Sequence, residues 1–311
     1  MIYFTCDIHD WVSWSKVFQD IKAWKPLIEY ILRLEDLPYA DIEHLTPGTN
    51  AVFRSGDYVV KIFAPIESGM DMYSDFSTEK FGLVRSESLE VSVPRLERSG
   101  IIHDKYEFMY MVMEYVDAEE LVKAEESFSD LQKEEIGRKL RKICDRMNTP
   151  CEDFDNIDVI KRAIKAKRWS KFADRFQQER MDWLYKYKEE EKVFVHGDLN
   201  PDNILIDKDM NIYIIDFADS IQAPYEYELA ALLCETFEFE YPYMKGFFGA
   251  DYNVSDIANK ILQALLMHDF GENIIKNNFG EPEEITGLSD LHNRIYSAIS
   301  NKKISENGKC D

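Results

Sequence analysis

The sequence predicts an α+β protein with two lobes, in which an antiparallel sheet with one helix forms the N-lobe and a mainly helical C-lobe follows. The chain has 311 residues, which is long for one compact core, so two lobes are expected. Strand-like runs around a hairpin signal lie within residues 49–63. Residues 120–190 and the part from Tyr225 onward carry apolar residues at helical spacing. The order of these patterns places the sheet first and the helices after it.

An N-terminal helical leader is predicted for residues 1–44. Apolar residues recur at helix-like spacing through residues 8–34. Pro38 and the Pro47-Gly48 pair punctuate the chain after them. We therefore expect the first sheet to begin after this leader.

The N-lobe is predicted to span residues 45–116. Ser55-Gly56-Asp57 is a hairpin signal between two strand-like runs. The predicted elements are strands at 51–54, 58–63, 101–103 and 108–115, and a helix over 76–89 that ends before Pro94.

The C-lobe is predicted to span residues 117–311. Residues 120–190 are expected to be helical, and short apolar strands at 193–195 and 212–216 flank a polar loop. Residues 302–311 are polar, which predicts a frayed end.

Bulk composition excludes several classes of protein. No apolar run approaches the ~20 residues that cross a bilayer, and residues 1–10 carry two aspartates without the basic start of a signal peptide. The cysteines form no C-x-x-C pair, which argues against a disulfide framework and a zinc site and predicts a cytoplasmic protein. The five cysteines are Cys6, Cys144, Cys151, Cys234 and Cys310.

The chain carries a formal net charge of −22. A field of that sign repels nucleic acid and anionic membranes and attracts cations, so neither is expected as a partner. The alternative is that the acidic surface serves only solubility. A site for a cation therefore needs local support.

Three oxygen-bearing side chains are predicted to meet where neighbouring strands end. Residues 193–206 form an apolar strand, a polar loop with Asp198 and Asn203, and a second apolar strand, and residues 212–217 then deliver Asp216. In phosphoryl transfer one carboxylate orients the acceptor hydroxyl and takes its proton. An amide and a second carboxylate suit Mg²⁺, which prefers hard oxygen ligands. The pattern therefore favours phosphoryl transfer.

The motif His-Gly-Asp-x-x-x-x-Asn at 196–203, followed by Ile-Asp-Phe at 215–217, resembles the catalytic core of the aminoglycoside phosphotransferase and choline kinase family. These small-molecule kinases have a bilobal protein-kinase-like fold. The resemblance implies Mg²⁺ as cofactor and ATP or GTP as phosphate donor, bound in the cleft between the lobes. No obligate protein partner is evident from the sequence.

The resemblance also implies roles for individual residues of the loop. Asp198 becomes the catalytic base, and Asn203 and Asp216 become the Mg²⁺ ligands. His196 becomes a scaffold residue that supports the loop by hydrogen bonds. Asp202, between them, is interpreted as a solvated loop residue.

Nucleotide contacts are implied upstream. Lys61 matches the strand lysine that contacts the α- and β-phosphates, and Glu79 matches the helix glutamate that pairs with it. Glu87 and Glu90 are weaker candidates, because they lie nearer the helix end. Alone, a lysine on such a strand is usually exposed to solvent, and the order of the motifs favours the nucleotide role.

Two further segments complete the implied nucleotide site. The turn over 46–50 takes the place of the phosphate-positioning loop, although it lacks a full G-x-G-x-x-G. The segment 112–117 resembles the hinge that bonds adenine, with Met113 either beside the base or only packed in the core. The implied contacts are Gly48, Thr49 and Asn50 of the turn, and Met113, Glu114 and Val116 of the hinge.

A small molecule rather than a protein is the expected acceptor. Protein kinases usually carry an arginine and a lysine where this chain has Gly197 and Asn200, and a long activation segment after the residue equivalent to Asp216. Here a predicted helix begins near Glu228, within about a dozen residues of that aspartate. Glu228 replaces the aspartate typical of the family, and it is expected to support the catalytic loop with a longer side chain.

A cationic acceptor is suggested by acidic residues among aromatic ones. The alternative is a solvated acidic face with the aromatic residues in the core. The candidate substrate residues are Glu235, Glu238, Glu240 and Asp251, near Tyr227, Phe237, Phe239, Tyr241 and Tyr243. The basic residues within 161–175 are interpreted as one exposed helix face rather than a nucleic-acid site.

These observations predict a Mg²⁺-dependent kinase that phosphorylates a hydroxyl of a small cationic substrate, with an aminoglycoside-type antibiotic as the leading acceptor. Choline, ethanolamine, a sugar or an amino alcohol are the alternative acceptors. A pseudokinase that only binds nucleotide is a further alternative, which the joint presence of Lys61, Asp198, Asn203 and Asp216 disfavours. A protein kinase is disfavoured by the short segment after Asp216.

Overall fold

A computed structural model describes residues 2–46, 48–188 and 191–307, with the side chains of 305–307 left out. The chain divides into two compact units by the packing of its backbone. Residues 1–88 and 92–117 form the first unit, and residues 89–91 and 118–311 form the second. The helical leader thus belongs to the same unit as the sheet that follows it.

The first unit contains a five-stranded antiparallel sheet with the strand order β1-β2-β3-β5-β4. The strands are β1 (Ile42–His44), β2 (Ala51–Ser55), β3 (Tyr58–Ile62), β4 (Leu96–His103) and β5 (Glu107–Glu114), and the helices are α1 (Trp11–Val17), α2 (Ile21–Leu34) and α3 (Tyr73–Ser88). Gly56, at φ 62°, closes the β2–β3 hairpin in the left-handed region that glycine adopts without strain. The predicted N-lobe sheet with its helix is confirmed.

Two features of this sheet were not predicted. Strand β1 lies at the sheet edge beside β2. Strand β4 begins at Leu96, five residues before the predicted start at residue 101. The added part, Leu96–Gly100, contains arginine, glutamate and serine. Charged residues are common on edge strands, where they interrupt the alternation of apolar and polar residues that predicts a strand.

The leader forms two helices, so the prediction of one helical region over 8–34 is wrong in detail. Asp10 and Ser13 form a reciprocal capping box at the start of α1, and the Asp20 carboxylate accepts from the Lys22 N–H at the start of α2. The apolar spacing continues across the break because both helices face the same aromatic core. There Trp24 lies 5.7 Å from Trp14 and 5.3 Å from Phe108 of β5, between ring centroids.

The second unit is mainly helical, as predicted, with two small sheets. Its helices are α4 (Leu121–Ala124), α5 (Asp130–Met147), α6 (Val159–Lys165), α7 (Asp174–Lys186), α8 (Leu229–Ala231), α9 (Tyr241–Phe248), α10 (Val254–Met267), α11 (Gly271–Phe279) and α12 (Leu288–Asn307). Its strands are β6 (Glu119–Glu120), β7 (Val193–Val195), β8 (Ile204–Ile206), β9 (Ile212–Ile214) and β10 (Ile221–Ala223). Strand β7 pairs with β10, and β8 pairs with both β6 and β9.

A buried core supports these small sheets. Val195 of β7 and Ile221 of β10 are fully buried against Tyr227 and Met267, together with apolar residues of α6 and α7. The core therefore fixes the point at which β7 ends and the polar loop begins. Helix α12 continues to Asn307, where a frayed end was predicted, and residues 308–311 lie outside the described residues.

The basic stretch 161–175 is not one exposed helix face. Helix α6 ends at Lys165, and a 3-10 turn over Arg168–Lys171 separates it from α7. The arginines Arg162 and Arg168 are half-buried, and both pair with Asp269. These contacts give the two arginines a partner inside the unit.

In the part of the chain that the structure describes, no helix has the length and apolar composition that crossing a membrane requires.

Candidate active site

The loop between β7 and β8 carries the predicted catalytic residues, and the buried carboxylate of Glu228 supports it. The Glu228 carboxylate accepts from the backbone N–H of His196 at 2.7 Å and of Gly197 at 3.2 Å, and from Nδ2 of Asn148 at 2.8 Å. Burial raises the pKa of Glu228 to about 7, although these three hydrogen bonds oppose that shift. The longer side chain of the glutamate therefore reaches the loop backbone.

We expect Glu228→Gln to change how stability depends on pH. Because the folded-state pKa of about 7 lies above the ordinary value of 4.5, ionisation is harder in the folded protein. The wild type should then lose stability relative to the variant as pH rises from the unfolded pKa through the folded one, by roughly 3 kcal/mol. Urea unfolding of both proteins at pH 5, 6, 7 and 8 measures the difference. Parallel curves would contradict the buried, weakly acidic carboxyl.

His196 is a neutral scaffold residue beneath the loop. Burial lowers its pKa to about 4. Its Nε2 lies 2.9 Å from the carbonyl oxygen of Ile215, and its Nδ1 lies 3.3 Å from the backbone N of Asp198. A neutral ring with its proton on Nε2 satisfies both contacts, because Nε2 then donates and Nδ1 accepts. The ring thus links the catalytic loop to the residue before Asp216.

Gly197 occupies a position that only glycine fits. Its φ is +83°, and a Cβ there would lie 2.4 Å from the carbonyl oxygen of Asp219. The loop backbone is therefore packed directly against the segment that follows Asp216. This close approach brings Asp198 and Asp216 to the same face of the second unit.

Asp198 accepts hydrogen bonds from two side-chain amides of its own loop. Its Oδ2 lies 3.0 Å from Nδ2 of Asn200 and 3.1 Å from Nδ2 of Asn203. Burial, together with the neighbouring carboxylates of Asp219, Glu235 and Asp216, raises the pKa of Asp198 to about 7. A base with a pKa near the working pH suits proton abstraction from a hydroxyl.

Asn203 and Asp216 offer the oxygen ligands that Mg²⁺ requires. The Nδ2 of Asn203 donates to the carbonyl oxygen of Asp198 at 2.9 Å, which leaves Oδ1 without a partner among the described residues. The backbone N–H of Ile215 donates to the carbonyl oxygen of Asn203, so Asp216 follows directly beside it. Asp216 is exposed and left-handed at φ 61° and ψ 69°. Such sparsely populated backbone is typical of functional sites.

The donor set fits a divalent cation that is shared with a phosphate. No group of three or more His, Cys, Asp and Glu side chains is arranged for a metal within the described ranges. Mg²⁺ needs no such group, since it commonly binds one or two carboxylates and completes its shell with phosphates and water. The carboxylates that raise the pKa of Asp198 also concentrate negative charge there, which a cation would offset.

Lys61 and Glu79 form a buried ion pair in the first unit. The Nζ of Lys61 on β3 lies 2.9 Å from Oε1 and 2.7 Å from Oε2 of Glu79 on α3. The two residues are only 5% and 2% exposed, so neither charge would be tolerated there alone. The structure brings this predicted pair together.

The turn over 46–50 is anchored by the leader. The Nε1 of Trp14 donates to the carbonyl oxygen of Thr49 at 3.0 Å. Asn50 is buried, and its Oδ1 accepts from the backbone of Ala64 at 3.4 Å, so this side chain points into the unit. A Cβ on Gly48 would meet nothing within 4 Å. The open part of the turn is therefore its backbone near Gly48.

The predicted hinge lies at the end of β5. Met113 is buried, which agrees both with core packing and with a position beside the adenine base. The backbone N–H of Glu114 donates to the carbonyl oxygen of Arg95, and that of Tyr115 donates to Asp57. Val116 follows beyond the strand.

Glu235 directly precedes Thr236, a residue that contacts the catalytic loop. It sits in a π-helical turn, Leu232–Thr236, and the Oγ1 of Thr236 donates to the carbonyl oxygen of Leu199 at 2.7 Å. Such turns often occur at functional sites. The half-buried Glu235 carboxylate has no hydrogen-bond or ion-pair partner among the residues that the structure describes, and burial raises its pKa. It is close enough to Asp198 to affect its pKa.

The other acidic candidates are placed differently. Glu240 pairs with Lys133 at 2.6 Å, and Asp251 is exposed beyond α9. Glu238 is exposed and borders an open groove of about 510 Å³. Four of the five aromatic residues named with them are buried core residues, as the alternative prediction held: Tyr227, Phe237, Phe239 and Tyr243.

Sequence reasoning missed several residues that support the loop. Asn200 was noted only as a departure from protein kinases, yet its Oδ1 also accepts from the N–H of Asn203. Asn148 donates to Glu228, which supports the loop, and Thr236 donates to the backbone of the loop itself. Both residues lie in segments distant from the loop in sequence. Only Asn200 had a local signal, because a polar amide inside a tight loop commonly bonds backbone two or three residues on.

This fold and site define a class of kinase-like phosphotransferases. The structure of the GDP complex of wild-type aminoglycoside 2'-phosphotransferase-IIIa is similar, with a TM-score of 0.56 and 16% identity over 93% of this chain and 100% of that chain. Choline kinase LicA from Streptococcus pneumoniae has a TM-score of 0.54 and 16% identity over 90% and 98%. A Plasmodium vivax ethanolamine kinase has a TM-score of 0.55 and 12% identity over 94% and 92%. At these identities the likeness shows the protein-kinase-like fold.

The family itself is shown by sequence. The model of the phosphotransferase enzyme family APH matches residues 48–252, which is more than half of the chain. The chain belongs to this family, and the prediction of a phosphotransferase enzyme of the aminoglycoside phosphotransferase and choline kinase type is confirmed at that level. Comparison with curated protein sequences finds no significant match.

Proposed function

We propose that this chain is a Mg²⁺-dependent kinase that transfers the γ-phosphate of ATP or GTP to a hydroxyl of a small cationic acceptor, with an aminoglycoside as the leading acceptor. The observation that carries the acceptor class is Glu235. Its half-buried carboxylate neighbours Asp198 and has no partner in the described part of the chain. A buried carboxylate without a partner is costly unless a cation pairs with it.

Asp198 acts as the base in this proposal. Its carboxylate accepts the proton of the acceptor hydroxyl as the oxygen attacks the γ-phosphorus in line. The bond from the γ-phosphorus to the bridging oxygen breaks, and the nucleoside diphosphate leaves. Asn200 and Asn203 hold the carboxylate in one orientation through its Oδ2. Positioning and electrostatics supply most of the rate in such a reaction.

Lys61 and Glu79 are proposed to serve the nucleotide. Lys61 would contact the α- and β-phosphates, and the ion pair with Glu79 fixes its ammonium group. Asn203 and Asp216 would hold Mg²⁺, which neutralises developing charge on the phosphates. The GDP, AMP and ATP complexes of the similar structures support a nucleotide donor. We assign nucleotide binding to residues 45–116 and acceptor binding to residues 117–311.

Charge and the similar structures favour a cationic acceptor. Kanamycin and streptomycin occur in the complexes of two similar structures, and choline kinase and ethanolamine kinase are others. All four compounds combine hydroxyl groups with amine, guanidine or ammonium groups. The net charge of −22 attracts such compounds. The free cysteines among the described residues fit a cytoplasmic location.

An acceptor panel tests the proposal. Purified protein is mixed with Mg-ATP or Mg-GTP and with kanamycin, streptomycin, choline, ethanolamine or glucose, and diphosphate formation is measured against a sample without acceptor. We expect transfer to a cationic acceptor and none to glucose. Transfer to glucose alone would contradict the acceptor class. Nucleotide binding without transfer to any acceptor would favour a regulatory protein.

We expect Glu235→Gln to weaken binding of the cationic acceptor specifically. Loss of one charge-assisted contact should raise the acceptor KM by about 10- to 100-fold, with the nucleotide KM unchanged. Glu240→Gln is the matched comparison, because Lys133 already pairs with that carboxylate, and its effect should be smaller. Equal effects of both variants would remove the special role of Glu235.

A further inference from the structure

A buried aromatic pair lies beneath the catalytic loop and has no role in the proposed chemistry. The rings of Tyr227 and His268 stack at 4.1 Å between centroids with an interplanar angle of 26°. Both residues are almost fully buried, at 1% and 2% exposure. A Cβ on Gly197 would lie 3.7 Å from the Tyr227 ring, so the pair touches the loop one residue before Asp198.

The His268 ring carries a buried donor that is only weakly satisfied. Its Nδ1 lies 3.0 Å from the backbone N of Phe270 and accepts that N–H. Burial lowers the pKa of His268 to about 3, so the ring is neutral and its proton lies on Nε2. That Nε2 makes no hydrogen bond of good geometry to the described residues. A weak hydrogen bond to the Gly197 backbone nevertheless opposes the lowering of this pKa.

A polar network fixes the pair from below. The Tyr227 hydroxyl accepts from Nη2 of Arg162 at 2.8 Å and from the backbone N of Asp269 at 3.0 Å. Arg162 and Arg168 both pair with the Asp269 carboxylate. Because the hydroxyl and the residue after His268 are both held, the stacked rings have little freedom. A change in the contact between His268 and the loop must therefore come from the loop.

We propose that His268 is a positioning residue for the catalytic loop, whose Nε2–H donates to the Gly197 carbonyl when nucleotide and acceptor are bound, while Tyr227 fixes the plane of the ring. This inference rests on the proposed function. A buried donor with only a weak contact to a loop backbone is suited to a hydrogen bond that shortens when the loop changes state.

The consequence for catalysis follows from the loop geometry. The Gly197 carbonyl belongs to the peptide that leads into Asp198, so its direction sets the direction of the Asp198 backbone. The Asp198 carbonyl oxygen accepts from the Asn200 N–H and from Nδ2 of Asn203, and the Asp198 N–H makes a 3.3 Å contact with His196 Nδ1. A donor on the Gly197 carbonyl would fix the peptide from its other side. The expected effect is on kcat rather than on nucleotide binding.

His268→Phe separates this role from a structural one. Phenylalanine keeps an aromatic ring on Tyr227 but removes the donor. It also removes the Nδ1 acceptor of the Phe270 N–H, so Tm should fall modestly, and kcat is measured well below Tm. We expect kcat to fall by about tenfold, with the nucleotide KM unchanged. His268→Gln, which keeps an N–H donor, should retain most of the wild-type kcat. His292→Phe is the matched control, because His292 also has a buried Nε2 without a hydrogen bond of good geometry but lies in α12.

NMR of the wild type gives a readout that does not depend on any variant folding. The His268 Nε2–H resonance, assigned by its loss in His268→Gln, should move downfield when Mg²⁺, a non-hydrolysable ATP analogue and the acceptor of highest turnover are added. With no turnover on any acceptor, kanamycin is added instead.

The outcomes separate the inference from the proposed function. Three outcomes would overturn the positioning role while transfer by the wild type stands. They are a wild-type kcat in His268→Phe, an equal loss of kcat in the Phe and Gln variants, and an Nε2–H resonance that does not move. A wild type that transfers no phosphate defeats the proposed function. In that case the downfield shift alone supports or refutes the contact with Gly197.

Discussion

Replacing Asp198 by asparagine is expected to lower kcat by about 10²- to 10⁴-fold, the usual contribution of a general base, while nucleotide binding is retained. The carboxamide matches the carboxylate in size but cannot take a proton from the acceptor hydroxyl. Its NH₂ group would also oppose the two amide donors that meet Oδ2 of Asp198, namely Asn200 and Asn203. Nucleotide binding is measured by calorimetry, and transfer by diphosphate release.

Asp202→Asn is the matched control for this experiment. Asp202 lies in the same loop and undergoes the same change of carboxylate to carboxamide, but its side chain is exposed and makes no hydrogen bond among the described residues. We expect its kcat to stay within about twofold of the wild type, as for surface changes away from a site. Near-normal turnover of Asp198→Asn would remove Asp198 as the base.

The catalytic loop was predictable because its residues are contiguous. Asp198 and Asn203 lie in one loop between two apolar strands, and Asp216 follows the next strand, so a local pattern defines the arrangement. Lys61 and Glu79 were found by their order ahead of that loop. A strand and the helix after it bring them together, and little long-range packing is needed.

The helical leader shows where periodicity misled. Its apolar spacing continues across the break between α1 and α2, while the caps at Asp10 and Asp20 decide where each helix starts. Both caps were visible in the sequence, since aspartate is a strong N-cap residue. The periodic signal was given more weight than the capping signal, and one helical region was predicted in place of two.

The supports of the loop were beyond local reasoning. Asn148 meets Glu228, and Tyr227 meets His268, through contacts between segments far apart in the chain. Residue type alone does not show that Glu235 lacks a partner while Glu240 has Lys133. Such differences arise from tertiary packing, which decides what each carboxylate faces. The same packing places the aromatic candidates in the core.

Asp216→Asn is expected to give the second large effect, on the response to Mg²⁺. The carboxylate supplies the only formal charge in the proposed pair of ligands, and its loss weakens the hold on a cation that contributes several kcal/mol to transition-state stabilisation. At a fixed low concentration of Mg²⁺ we expect kcat to fall by about 10²-fold or more. The concentration of Mg²⁺ for half-maximal rate should rise. The test is a titration of rate against Mg²⁺ for both proteins.

Folding of this variant should be unaffected, which makes the result interpretable. Asp216 is left-handed at φ 61°, and asparagine tolerates that region as well as aspartate does. The Asp216 charge also raises the pKa of Asp198, so its removal relieves repulsion in the metal-free protein. Tm without Mg²⁺ should therefore stay level or rise. An unchanged Mg²⁺ titration with an unchanged Tm would show that the metal is held elsewhere, because the carboxylate would then be dispensable to both fold and cofactor.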